Sequence, residues 1–246
     1  MVWSQKKSNP VDDRAGQTQT EHQPGHAAVL RHLNEIEQSE PEARERLAGA
    51  VIFDLALQIL NIDRRVRLED LFAMLASVGG QQCIAPILQA APANTNFDTL
   101  DLMAVQGKDG RLYLFGDPPN RLLLESEDSL LSLAFGAART WGAPVTMTMI
   151  YEEMKNVASR IGGPEFDVLD LPPEHMVDKP TEWARSFNAK ILEALDLYRV
   201  PPMRRATAIG CAVQRAFEKS KKTLDPFVAA KIVLQCACRT SKTLIS

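Results

Sequence analysis

Apolar residues recur along this chain at the three- and four-residue spacings of helices far more often than at the alternate spacing of strands. From Leu47 to Leu60 nearly every residue is apolar. Asp54 and Gln58 are the exceptions, and Asn61 and Arg65 continue their polar stripe. A helix of this composition needs cover on most sides. Ahead of it, Ser39 and Glu42 stand at the S-x-x-E spacing of a capping box, which predicts a helix start at Ser39. Leu68, Leu71, Phe72 and Leu75 predict a second helix over 68–78, with Gly79-Gly80 as its stop. A shorter apolar stretch, Cys83 to Leu88, follows before a loop around Pro92 to Asn96.

The one strong strand signal is LMAVQ and RLYLF on either side of Gly107-Lys108-Asp109-Gly110, which predicts a β-hairpin near 102–115. Gly116-Asp117-Pro118-Pro119-Asn120 then reads as a rigid exposed loop, and Ser126 as the cap of a helix containing Leu130 to Ala138. A helix over 147–161 places Ile150, Met154, Val157 and Ile161 on one face, and residues 162–180 read as a long loop. Three helices close the chain. The first carries the stripe Trp183, Phe187, Ile191 and Leu195, the second packs through small residues around Gly210, and the third starts at Asp225-Pro226. The expected fold class is mainly α, a bundle of about seven or eight helices with one small β-hairpin.

Residues 1–25 are rich in Gln, Thr, Ser, Asn and Pro, too polar to offset the entropy of ordering them, while 26–37 have the spacing of a short docked helix. The expected organisation is a flexible polar arm over 1–38 and a single helical domain over 39–246, with a sub-division near 120. The formal charge of −3 gives no general attraction to nucleic acid or anionic lipid. It conceals an asymmetry, because residues 199–246 carry ten basic and two acidic side chains. Pairing of these basic residues with acidic elements of the same chain is favoured over a positive face offered to a partner. Four cysteines without framework spacing, no leader-like apolar segment and no run of ~18 apolar residues imply a cytoplasmic protein with no membrane partner.

Candidate chemistry is sparse. Cys83 and His175 are the only pair with the types of a thiol nucleophile and its base, and buried Cys with surface His is the favoured alternative. Asp54 is the sole carboxylate in its apolar helix, so it is expected to pair with a cation or face a wet cavity. Cys236 and Cys238 lie about 200° apart on a helix and read as core thiols. His22, His26 and His32 read as solvated, and no metal or cofactor site is expected. Leu68 to Leu88 resembles a helix-turn-helix in outline, with Arg64, Arg65 and Arg67 nearby, but Pro86 falls inside the second helix.

The best functional expectation is a non-catalytic helical module that self-associates or binds a protein or small ligand. Its loops Asp117–Asn120 and Glu174-His175 are the expected contact points. A nucleic-acid-associated regulator using Arg204, Arg205, Arg215, Lys219, Lys221 and Lys222 is the first alternative. A small-molecule enzyme using Cys83, His175 or Asp54 is the second.

Overall fold

One helix organises the rest. The structure is a computed structural model that describes residues 24–93 and 95–245; the polar segment 1–23, with His22, lies outside the described residues. In chain order the elements are α1 (Pro24–Ile36), α2 (Ala43–Ile59), α3 (Leu68–Ala90), β1 (Leu102–Gln106), β2 (Leu112–Gly116), α4 (Asp117–Asn120), α5 (Leu130–Thr140), α6 (Met147–Ser159), α7 (Pro180–Leu197), α8 (Arg205–Ser220) and α9 (Pro226–Thr240). The mainly helical bundle with one antiparallel hairpin is thus the fold.

Every residue of α3 from Leu71 to Ile84 is buried. Helices α7, α8 and α9 pack around it, α2 and α5 pack against α8, and α6 lies against α9. Gly79-Gly80 does not stop α3 as the sequence suggests; the helix runs through both. Their role is close approach. A Cβ on Gly79 would stand 2.8 Å from the Leu130 side chain of α5, and one on Gly80 would stand 2.5 Å from the Ala237 carbonyl oxygen of α9. Successive helical positions differ by about 100° in direction, so the two glycines admit a neighbour on each side. The uninterrupted helix is also long and apolar enough, by composition, to cross a membrane, but 89% of that apolar window is buried among the other helices. The continuous helix leaves no turn for a helix-turn-helix.

The S-x-x-E box does not form. Helix α2 starts at Ala43, and the Ser39 hydroxyl donates instead to the Ile36 carbonyl, closing the end of α1. Arg44, buried at the start of α2, fastens α1 in place. It donates to the Glu37 carboxylate at 2.7 and 2.6 Å, to Asn34 Oδ1 at 2.6 Å and to the Tyr198 carbonyl at 2.8 Å. The cap of α5 is Ser129 rather than Ser126, whose hydroxyl donates to the Arg121 carbonyl. Asp225 and Pro226 begin α9 as expected, with the Asp225 carboxylate 2.7 Å from the Phe227 amide.

The hairpin closes one end of the bundle. Leu102 and Leu114 form a small core with Ile84 and Ile87. Tyr113 is fully buried against Phe166, ring centroids 4.8 Å apart, and its hydroxyl donates to Asp109 at 2.7 Å. The C-terminal segment adds to the far edge of β2, where the Leu114 amide donates to the Lys242 carbonyl at 2.8 Å. Such additional pairing and packing stabilises a hairpin that two strands alone would leave marginal. Residues 116–120 are not an exposed loop. Prolines 118 and 119 sit in the first turn of α4, where their missing N–H groups have no helical partner to lose, and α4 runs into a π-helical turn over Arg121–Glu125.

Candidate functional site

The structure does not bring Cys83 and His175 together. Cys83 is fully buried in α3 with its Sγ against the Gly79 carbonyl. His175 Nδ1 lies 2.8 Å from Glu69 Oε1 at the other end of the same helix. Fourteen residues separate Glu69 from Cys83, about 21 Å along a helix. Burial pushes the Glu69 carboxyl up, but the His175 hydrogen bond and Arg67 outweigh it and hold it below its usual range. Glu174 is exposed and offers only its carbonyl, to Arg67 at 3.3 Å. Asp54 has no ion-pair partner among the described residues. It points to solvent from the uncovered side of α2.

Burial raises all four thiols, Cys236 and Cys238 to about 12 and half-buried Cys211 to about 11, against roughly 8.5 for a free cysteine. A raised thiol is protonated and unreactive at neutral pH. An aromatic disulfide reagent at pH 8 is therefore expected to find no fast thiol in the native protein, a slow one at Cys211, and all four after denaturation. Stoichiometric reaction of Cys83 at the rate of a free cysteine contradicts this.

The arginines among the basic C-terminal candidates are held by the chain itself. Arg204 is held by Glu45, 2.7 Å away, and by Asp128. Arg205 reaches Asp196 at 2.5 Å, Arg215 lies over the Phe53 ring, and Lys221 over Trp141. Lys219 and Lys222 are exposed. Part of the positive charge, that of Arg204 and Arg205, is thus paired with the chain's own acidic groups, while the lysines over 219–222 remain at the surface.

Two clefts on opposite sides of α6 differ in what their charges do. The first, about 400 Å³, lies against α9. Its lysine and its buried carboxylate are already paired: Lys231 stands 3.5 Å from Asp170 and Glu153 pairs with Arg239, the Gln235 amide exchanges two hydrogen bonds with the Asp170 backbone, and Glu152 is exposed at the rim. This is a structural seam that holds the 163–172 segment on α9.

The second cleft, about 560 Å³, opens between α5, α6 and the π-turn. Ser132, Phe135 and Arg139 face it from α5, and Met147, Ile150, Tyr151 and Met154 from α6. Both sets follow the one-face spacing of a helix. Phe135 and Ile150 make a buried apolar floor, whereas Met147 and Tyr151 stand at the exposed rim. At one end are Asn120 and Glu125, tied to α5 by the Ser132 hydroxyl, which donates to the Leu124 carbonyl at 3.1 Å. At the other end Arg139 is anchored by its Nε to the Val145 carbonyl at 3.3 Å. Among the described residues neither the Glu125 carboxylate nor the terminal nitrogens of Arg139 have an ion-pair or hydrogen-bond partner.

Behind Asn120 sits Lys242, 5% exposed, its Nζ donating to Asn120 Oδ1 at 2.6 Å. Burial depresses this ammonium, with Glu125 among the groups that oppose the shift. Because the lysine is a donor only, it fixes which end of the Asn120 amide accepts and leaves the Nδ2 donors for another partner. Asn120, one of the loop residues singled out from the sequence, lines this cleft. Neighbouring Asp117 is exposed and lies outside the cleft lining. Glu125 and Arg139 carried no signal beyond their charge, and no group of His, Cys, Asp and Glu among the described residues is placed to hold a metal. In comparison with known proteins, the chain matches no family model, no curated protein and no solved structure.

Proposed function

We propose that this protein is a small-ligand-binding helical module whose site is the cleft between α5, α6 and the π-turn. The observation that carries the reading is the contrast between the two clefts flanking α6. In one the lysine and the buried glutamate are paired within the protein, while among the described residues the other keeps both a carboxylate and a guanidinium without an ion-pair partner, and an oriented amide, around a buried apolar floor. A concave apolar surface with a few convergent polar groups is the usual form of a small-molecule site. Its π-turn is of a kind frequently found at functional positions. Self-association is the second part of the sequence expectation. Its motive weakens for the apolar run Phe227 to Cys238, which α9 buries within one chain, while Leu55, Leu57 and Ile59 of α2 stay half-buried. The inward pairing of Arg204 and Arg205 likewise removes the main support for a nucleic-acid face.

The test is titration with anilinonaphthalene sulfonate, an amphipathic aromatic anion whose fluorescence rises in apolar surroundings. Saturable one-to-one binding in the micromolar range is expected, weakened at least tenfold by Met154→Trp or Met147→Trp, which fill the floor and the mouth. Either variant counts once its near-UV circular dichroism matches the wild type. Dye binding that both folded variants leave unchanged places the site elsewhere and sinks the reading.

A further inference from the structure

Resting on the reading of this cleft as a ligand site, we propose that its ligand is a short apolar peptide of about three residues, held by its two charged ends. The unpaired groups are of opposite sign and stand at opposite ends of the cleft. Glu125 lies beside the Ser132 end of α5, where Ser132 bonds Leu124, and Arg139 lies seven residues further along the same helix. Seven residues of helix span about 10 Å. The Arg139 side chain does not fold back over that distance, because its Nε is fixed to Val145 beyond the end of α5.

A single amino acid separates its ammonium and carboxylate by one carbon and cannot reach both groups. An extended peptide advances about 3.3–3.6 Å per residue, so three residues match the span. The ammonium then meets Glu125 and the carboxylate meets Arg139, a guanidinium fork suited to a planar carboxylate. Between them the apolar side chains lie on Phe135 and Ile150, with the flexible Met147 and Met154 adapting to their shape. The Asn120 amide, held by Lys242, is placed to donate to a carbonyl near the ligand's amino end. A simple fatty acid fits less well. Its alkyl chain would desolvate Glu125 without supplying a partner.

Calorimetry on the full chain at about pH 6.5, where a peptide amine is protonated, tests this with trileucine, its N-acetyl and C-amide derivatives, leucine and octanoate. Trileucine is expected to bind in the micromolar range, and each end-capped derivative at least tenfold more weakly. Glu125→Gln should abolish the preference against the acetylated peptide alone, and Arg139→Gln the preference against the amide alone. Both are surface side chains: Glu125→Gln should keep the wild-type melting temperature, and Arg139→Gln, which gives up the bond to Val145, should lower it by a few degrees at most. Octanoate or leucine binding as well as trileucine overturns the peptide assignment, as does trileucine binding that ignores either cap. If the dye occupies the cleft and trileucine does not bind at all, the ligand class is wrong while the site stands.

Discussion

Gly80→Ala should destabilise the protein by about 1–2 kcal/mol, while Gly136→Ala, in another helix of the same bundle, should stabilise it by up to about 1 kcal/mol. Both replace a helical glycine with the best helix former, a gain of about 0.8–1.0 kcal/mol from backbone propensity. What differs is the space. A Cβ at Gly136 meets nothing within 4 Å. At Gly80 it would stand 2.2 Å from Thr240 Oγ1, 2.5 Å from the Ala237 carbonyl oxygen and 2.9 Å from the Ala237 Cα. The hydroxyl can rotate away, but the backbone of α9 cannot, so α3 and α9 must separate. Overpacking of this kind costs about 1–3 kcal/mol and sometimes more, which exceeds the propensity gain. For a chain of this size a net loss of about 1–2 kcal/mol lowers the melting temperature by roughly 2–8 °C. Thermal denaturation of the two variants side by side checks both signs. A Gly80→Ala protein at least as stable as the wild type would show that the interhelical contact is looser than the structure has it.

The same glycines show why part of the fold was legible in the sequence and part was not. Helical periodicity exposed the apolar faces of α2, α5, α7, α8 and α9, and the turn residues around Gly110 announced the hairpin. Gly79-Gly80 reads as a stop because glycine weakens a helix locally. Only the tertiary structure reveals that two neighbouring helices need the missing side chains. Pro118-Pro119 misleads in the same way. Two prolines signal a loop, yet both are tolerated where a helix begins and donates nothing. Stripes with paired partners far along the chain were visible as stripes but not as contacts. Arg204 finds Glu45 across 159 positions, and no local pattern encodes that meeting. The cleft was less legible still. Ile150 and Met154 were recognisable as one face of α6, but that face reads as core, and Glu125 and Arg139 look like any surface charges until the backbone places them at the two ends of one floor.

Glu153→Ala should cost about 3–5 kcal/mol, the usual loss when a buried cation loses its anion. Arg239 has no solvent exposure, and Glu153 on α6 pairs with it. The guanidinium also donates to the carbonyls of Phe166 at 2.6 Å, Val168 at 3.1 Å and Gln235 at 2.8 Å. With Glu153 removed, these dipoles remain but the charge is uncompensated. Replacing a buried pair by apolar residues of similar volume often restores stability. Here it should not. The double change Glu153→Leu with Arg239→Met removes both charges but leaves the Phe166 carbonyl without its donor, at about 1–3 kcal/mol, while the Val168 carbonyl keeps Arg160 at 3.2 Å. Urea denaturation should therefore rank the double variant well below the wild type. Hydrogen exchange should rise in the 163–172 segment, whose hold on α9 depends on Arg239 and Gln235. Recovery of wild-type stability by the double variant would mean that the charge pair, and not the loop carbonyls, is what Arg239 serves. The cleft between α5 and α6 lies on the other side of α6 from this seam. Loss of dye binding in Glu153→Ala, in a sample still folded by near-UV circular dichroism, would show that α6 transmits the seam's order to the ligand site.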